Sequence, residues 1–340
     1  MDLLRSRVAA RAAVVLVAAL AGARVLAADA DLPFRVPGHG ALALAVPENW
    51  NVETRALEDP AALSMRLVPG DGREAVVLVT VIASPKGPPT AEFVRAAAEQ
   101  VASDLRDHAA EERLAVETRS GPAARLAFVS ATDRRWRDRV PPEGEWRHVT
   151  QGAAAIGDLL LGFTVLTTAK GGPAQLQALD LLARARHLPK GAGAGTVAIA
   201  SGGATLAAEL PGLEVTRVTA RPGGGGMMVS GALTGGVNVT LTVEGASELN
   251  TVEEVREARW TRAAARSPVD KTEVQQSMRG EMAIVSYLVP RFEDVEIRQR
   301  HVHGYLLRQG AVGEVHVSKV RFEAADAALL DRVVNSTHLR

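Results

Sequence analysis

Cysteine is missing from all 340 residues. That absence excludes disulfides, thiolate catalysis, cysteine-based zinc sites and the lipid-modified cysteine of a lipoprotein. Net charge is missing too: 39 Lys and Arg stand against 39 Asp and Glu, a balance that gives no electropositive signature for nucleic acid. The chain has no HExxH, no G-x-S-x-G and no phosphate-binding P-loop. GAGAG at 191–195 neither follows a strand pattern nor opens a helix, so it reads as a linker rather than a dinucleotide loop. No apolar run reaches the roughly 20 residues needed to span a bilayer.

What is present begins with a leader pattern. Arg5, Arg7 and Arg11 precede an apolar stretch from Ala12 to Ala23, and Val25-Leu26-Ala27 has small residues at the spacing a signal peptidase reads. The sequence predicts a signal peptide over 1–27, cleaved after Ala27, and export to a bacterial periplasm or the medium. Retention of the leader as an anchor is the alternative. Cleavage takes away four of the 39 basic and one of the 39 acidic residues, leaving 35 against 38. The mature chain is then mildly acidic, with no integral membrane span and no polybasic patch for anionic lipid.

Two stretches of the mature chain repeat one another. GALALAVPENWNVETR (40–55) is answered by GATLAAELPGLEVTRV (203–218), VVLVTVIA (76–83) by VNVTLTVEG (237–245), and TAEFVRAAAEQVASDL (90–105) by TVEEVREARWTRAAAR (251–266). The offset stays between 161 and 164 residues across these three elements. Self-similarity at a held spacing is the signature of a duplicated structural unit. Thr90 and Thr251 are placed as N-caps, and Thr251 with Glu254 has capping-box spacing. Phe93, Ala97, Val101 and Leu105 mark the apolar side of the first helix. Arg259, Arg262 and Arg266 crowd the second, where they are expected to face water. Two hairpin-like strand pairs follow in each copy, with Gly121 and Gly280 as turn glycines. Each copy closes on a helix ending in His-Leu, where His187 and His338 read as caps of the helix dipole.

This pattern predicts an α+β chain of two tandem domains, 31–189 and 197–340, joined by a glycine-rich linker at 190–196, each a mainly antiparallel sheet flanked by helices. The unit opens on a strand ending in Pro47 and Trp50, continues through a short strand at 63–67 and VVLVTVIA, and then has a helix beginning Pro-Thr at 89–90. Two hairpins and a terminal helix complete it. In this order of elements the unit resembles the Mog1/PsbP-like superfamily, whose bacterial members include DcrB-type envelope proteins. The second copy departs from it, with Pro211-Gly212-Leu213 in place of the proline and tryptophan pattern. The resemblance implies an α/β/α sandwich, a binding or scaffolding role with an envelope protein as partner, and no shared catalytic centre or cofactor.

Three places carry chemistry worth following. Trp136 and Trp146 bracket an insert that holds Arg137, with Arg135 just before it, and aromatic residues with arginine make binding hot spots. This loop has no clear counterpart in the second copy; it reads as a solvated connection and is the first place to look for a partner contact. His301 and His303 share one face of a strand, and His316 lies beyond a turn, an imidazole set that suits zinc or copper. With the turn centred near residue 311, however, His316 falls opposite Leu306, about 7–10 Å from His303 along the strand and too far for one ion. The groove between the copies is the third place, where an alternative hydrolytic site would need converging histidine and carboxylate side chains. The leading expectation is a non-enzymatic exported binding protein. A hydrolase or a small-ligand or metal module at His301 and His303 are the alternatives.

Overall fold

The computed structural model describes residues 30–340 apart from 58–61, 71, 73, 85–86, 192–194, 222–224, 246 and 267–268. The expected signal peptide and three residues of the linker lie outside the described residues. In the first half, β1 (Ala30–Arg35), β2 (Ala41–Val46), β3 (Trp50–Ala56), β4 (Ala62–Pro69) and β5 (Ala75–Ala83) lead to helix α1 (Ala91–Leu105). Then come β6 (Glu117–Ser120), β7 (Ala124–Thr132), β8 (His148–Ile156), β9 (Leu159–Thr167), helix α2 (Pro173–Arg184) and β10 (Arg186–Leu188). The second half runs β11 (Thr196–Ser201), β12 (Ala204–Glu209), β13 (Glu214–Ala220), β14 (Gly226–Leu233), β15 (Val237–Glu244) and α3 (Val252–Arg266). It ends with β16 (Thr272–Arg279), β17 (Met282–Phe292), β18 (Val295–Arg308), β19 (Ala311–Lys319), α4 (Ala327–Ser336) and β20 (His338–Leu339).

The fold is α+β, with a large antiparallel sheet flanked by helices. Among the described residues, fourteen strands form one sheet whose centre is the antiparallel pair β3 and β13. Reading outward from that seam, β3-β4-β5-β9-β8-β7-β6 and β13-β14-β15-β19-β18-β17-β16 give the same order twice. Two small sheets, β1-β2-β10 and β11-β12-β20, repeat one another in the same way. The seam itself is short, pairing Val52 with Val218 and Glu53 with Arg217. Side chains extend it: Ala220 N donates to Asn51 Oδ1 (2.9 Å), and Thr54 Oγ1 donates to the Thr216 carbonyl (3.0 Å).

Strand alternation sends neighbouring residues to opposite faces. On one face Leu126, Phe128, Val79 and Leu161 join Ile199, Leu241, Val315 and Leu330 in a single core that runs through both halves beneath the small sheets, α2 and α4. On the other face Val94 and Ala98 of α1 pack on Ala127, Ala153 and Ala155, while Val255 of α3 packs near Val285, Tyr287 and Tyr305.

Local expectations fare unevenly. Thr90 Oγ1 accepts from Phe93 N (3.2 Å), and Thr251 and Glu254 exchange both bonds of a capping box at 3.2 Å. Phe93, expected in the apolar stripe of α1, is 53% exposed, because the buried side of the helix is centred on Val94 and Ala98. Arg259 does not face water: its guanidinium lies 2.5 Å from Glu244. Gly280 is a turn glycine with φ of 60°. Gly121 opens the turn between β6 and β7, its N donating to the Ala124 carbonyl at 2.9 Å, and it also permits close approach, since a β-carbon there would sit 1.7 Å from the carbonyl oxygen of Ala183 in α2. Thr196, the last expected linker residue, already begins β11.

Candidate functional site

The histidine cluster depends on one tight turn. β18 and β19 are joined through Gln309 and Gly310, with φ of 49° and 79°, the two positive values of a type I′ hairpin. Arg308 therefore pairs with Ala311, and His303 pairs directly with His316. This corrects the register expected from a turn near residue 311. His316 does not face Leu306, which pairs with Gly313. Alternation then puts His301, His303 and Tyr305 of β18, Glu314 and His316 of β19, and Tyr287 of β17 on the face that α3 covers.

The three imidazoles bring ligand atoms within 4.8 Å of one another. His301 Nδ1 lies 3.0 Å from His316 Nε2, and His303 Nδ1 lies 3.0 Å from Glu314 Oε1. Tyr287 Oη is 3.4 Å from His303 Nε2. The rings are stacked: His303 on His316 at 4.0 Å between centroids, and Tyr287 on His301 at 4.8 Å. Trp260 of α3 closes the cluster against Tyr287 at 5.3 Å. Burial disfavours the charged imidazolium. It pushes His301 down to about 4, helped by the nearby His303 and Lys271, and pushes His316 well below the ordinary histidine range, helped by His303 and His301. Both rings are thus neutral at pH 7. Burial also raises Tyr287 and Tyr305, and the Glu314 carboxylate adds to each.

Tyr287, Tyr305 and Glu314 belong to this cluster and were not anticipated from sequence. Placing the turn at Gln309-Gly310 is enough to find Tyr305 and Glu314 by alternation, while Tyr287 requires the β17 register as well.

The arginine and tryptophan loop sits elsewhere, between β7 and β8. Residues 134–136 form one turn of 3₁₀ helix capped by Asp133. Arg135 lies over the Trp136 ring at 5.4 Å and pairs with Asp133 (2.8 Å) and Glu145 (3.3 Å). Trp136 Nε1 donates to Glu145 Oε2 at 3.2 Å, and the Arg147 guanidinium donates to the Arg139 carbonyl. Asp133 N donates to the Arg147 carbonyl (2.8 Å), which closes the base of the loop. Trp146 is half-buried beside Arg135 and His148. Arg137 and Val140 project outward, Val140 with 84% exposure. The matching connection in the second half is the two-residue turn Glu293-Asp294 between paired Phe292 and Val295.

The groove between the halves holds a cavity of about 310 Å³ lined by Arg35, Lys190, Leu213, Glu214 and Thr234 among others. Arg35 neutralises Glu214 at 2.5 Å, and no histidine lines the cavity among the described residues. The converging acid and base that a hydrolytic site requires are not assembled there. His187, expected to cap α2, lies instead in β10, where its Nδ1 is 2.6 Å from Asp158 Oδ1 and its Nε2 is 2.6 Å from the His39 carbonyl. It ties a small sheet to the β8–β9 turn. His338 lies in β20, with Nδ1 3.2 Å from the carbonyl of Ser336 at the end of α4.

No protein-family profile matches the chain, and no curated protein matches it. Among solved structures, the immunity protein TplEi of the T6SS from Pseudomonas aeruginosa, in complex with an "L" peptide, is 11% identical. That overlay covers 85% of this chain and 98% of that chain at a TM-score of 0.34. MucB in complex with MucA(peri) is 14% identical over 85% of this chain and 87% of that chain, at a TM-score of 0.20. Both overlays are too loose to transfer a role.

Proposed function

We propose that the protein is a non-enzymatic exported binding protein, built from two copies of one Mog1/PsbP-like unit at 31–189 and 197–340, and that it docks another envelope protein through the 133–147 loop. The observation that carries this reading is an ordered insert that contributes nothing to the core. No residue between 133 and 147 is buried, yet the insert is held by ion pairs, a stacked arginine and backbone bonds at its base. A segment fixed in this way loses little conformational entropy on binding, and an arginine stacked on tryptophan is a common interface anchor. The repeated strand order supports the duplication, and the leader pattern at 1–27 supports export. No described helix is long and apolar enough to cross a membrane.

The test is site-specific photo-crosslinking in the producing cell. A photoreactive residue replacing Val140 should give one discrete protein adduct that disappears when Arg137 and Trp136 are changed to alanine. The same probe at Val295, which is 63% exposed on the matching turn of the second half, should give none. No adduct at 140, or an identical adduct at both positions, overturns the loop assignment.

A further inference from the structure

We propose that His301, His303 and His316 form a binding site for one divalent transition-metal ion, zinc or copper(II), on the face of the sheet beneath α3. This site is separate from the docking loop and does not depend on the docking proposal.

Four observations carry it. First, the hairpin register brings the side chains together: His303 and His316 are directly paired, His301 is two residues along the same face, and their ligand atoms lie within 4.8 Å. A tetrahedral ion with nitrogen at about 2.0–2.1 Å separates its ligands by about 3.4 Å, so ring adjustments of an ångström or so are sufficient. Second, the carboxylate of Glu314, 3.0 Å from His303 Nδ1, accepts a hydrogen bond from the Nδ1–H and leaves Nε2 as the lone-pair nitrogen. A carboxylate behind a histidine in this way fixes the tautomer and raises the basicity of a metal ligand. Third, His301 Nδ1 and His316 Nε2 point at each other across 3.0 Å, so one proton lies between two nitrogens. When that proton moves to the far nitrogen of its own ring, both near nitrogens offer lone pairs to one ion.

Fourth, the scaffold does not need these residues. Counted from the turn, Ile156 and Leu159 of the first half correspond to Arg308 and Ala311 of the second. The positions of His301, His303, Glu314 and His316 are then Val149, Gln151, Gly162 and Thr164. An equivalent hairpin under an equivalent helix forms with none of the imidazoles. The rings lie within 5–7° of parallel across the His303–His316 and His301–His316 pairs. An ion lies in the plane of each ring it binds, so capture requires rotation of at least one ring about its Cβ–Cγ bond. Nitrogen donors with a carboxylate behind them favour zinc or copper over magnesium or calcium, which take oxygen ligands.

The test uses the full chain purified without a histidine tag, stripped with a chelator and titrated with zinc sulfate in a calorimeter. One ion per chain is expected, and cobalt(II) in its place should give visible absorption of a four-coordinate nitrogen-rich site. His303→Ala and His316→Ala should each abolish stoichiometric uptake, while His338→Ala should leave it unchanged. Glu314→Gln should keep the stoichiometry and weaken affinity by about 10–100-fold, the usual effect of removing a carboxylate behind a ligand. Because the cluster is packed against α3, each variant is checked by circular dichroism without metal. As a readout that needs no substitution, zinc should protect the three histidines from diethyl pyrocarbonate, mapped by mass spectrometry. Absence of stoichiometric uptake, uptake retained by a folded His303→Ala/His316→Ala double variant, or modification unchanged by zinc would overturn the site.

Discussion

Replacing Trp50 tests whether the two halves share one cooperative core. Its side chain is 0% exposed, at the start of β3 beside the seam, and its backbone N donates to the Pro47 carbonyl at 3.0 Å. The indole Nε1 is buried with no hydrogen-bond partner among the described residues. Trp50→Ala removes the ring and leaves a cavity, at a cost of about 3–5 kcal/mol. Trp50→Phe is a different perturbation. It gives up part of the packing but also removes a buried donor whose lack of a partner costs about 1–3 kcal/mol. The two effects nearly cancel, so the phenylalanine variant should lie within about 1 kcal/mol of the parent. Equilibrium unfolding in urea gives both differences, and hydrogen exchange reports which strands open. One core running from Leu42 and Trp50 through to Val315 and Val317 predicts one transition, with β5 and β15 losing protection together in Trp50→Ala. A phenylalanine variant as unstable as the alanine one would refute the orphaned donor. Loss of protection confined to the first half would refute the shared core.

Two further outcomes follow from local geometry. Gly121→Ala drives a β-carbon against the Ala183 carbonyl, so α2 must shift, and a loss of about 1–3 kcal/mol is expected in the same urea experiment; an unchanged midpoint would count against the close approach. Glu111 supplies the acid dependence. Burial opposes its ionisation, but Lys170 at 2.6 Å and the Thr132 backbone and hydroxyl donors outweigh it and hold the carboxyl down at about 2. A depressed carboxyl stabilises the fold above its unfolded value of about 4.5 and loses that contribution as pH falls toward 2. Solvent screening at a partly exposed group leaves about 1–2 kcal/mol of it. Glu111→Gln should therefore narrow its stability gap to the parent between pH 5 and pH 2 by about that amount, as read from urea midpoints; a gap independent of pH would refute the assignment.

The strands and helices that repeat were legible because their signals are local. A threonine before a helix-period run, an apolar run such as VVLVTVIA and a glycine between two strands each act over a few residues. The seam was not legible. In WNVETRA only Trp50 and Val52 face the core, and in EVTRVTA a bulge between Val215 and Arg217 interrupts the alternation. Neither stretch has the apolar alternation of a central strand, yet they are the two central strands. The pairing of Pro47 with Pro211 also misleads. The same backbone bond forms from Trp50 N to the Pro47 carbonyl and from Leu213 N to the Leu210 carbonyl, so Leu213 takes the place of Trp50 and is likewise buried. The histidine register was hidden for a related reason. A type I′ turn needs positive φ at both central residues, and Gln309 is not a residue that advertises it. Once the turn is known, the cluster follows from alternation alone.

The two halves keep their strand order and differ in what is attached to it. At the outer end of β7 and β8 the first half opens into the arginine and tryptophan loop. The second half continues β17 and β18 to a two-residue turn and places the imidazoles on the flanking face. Val149, which borders the hollow beside Trp146, occupies the position of His301. Each specialisation therefore falls at a corresponding part of its own half. Because the sheet order runs outward from the seam in both directions, β8 and β18 are each fifth from the centre, nine strand spacings apart. At about 4.8 Å per spacing that is roughly 43 Å measured along the sheet. No side chain reaches across such a distance, so neither place touches the other, although one core lies beneath both halves. The loop and the imidazole cluster are therefore best treated as independent sites on one scaffold, each answerable to its own experiment.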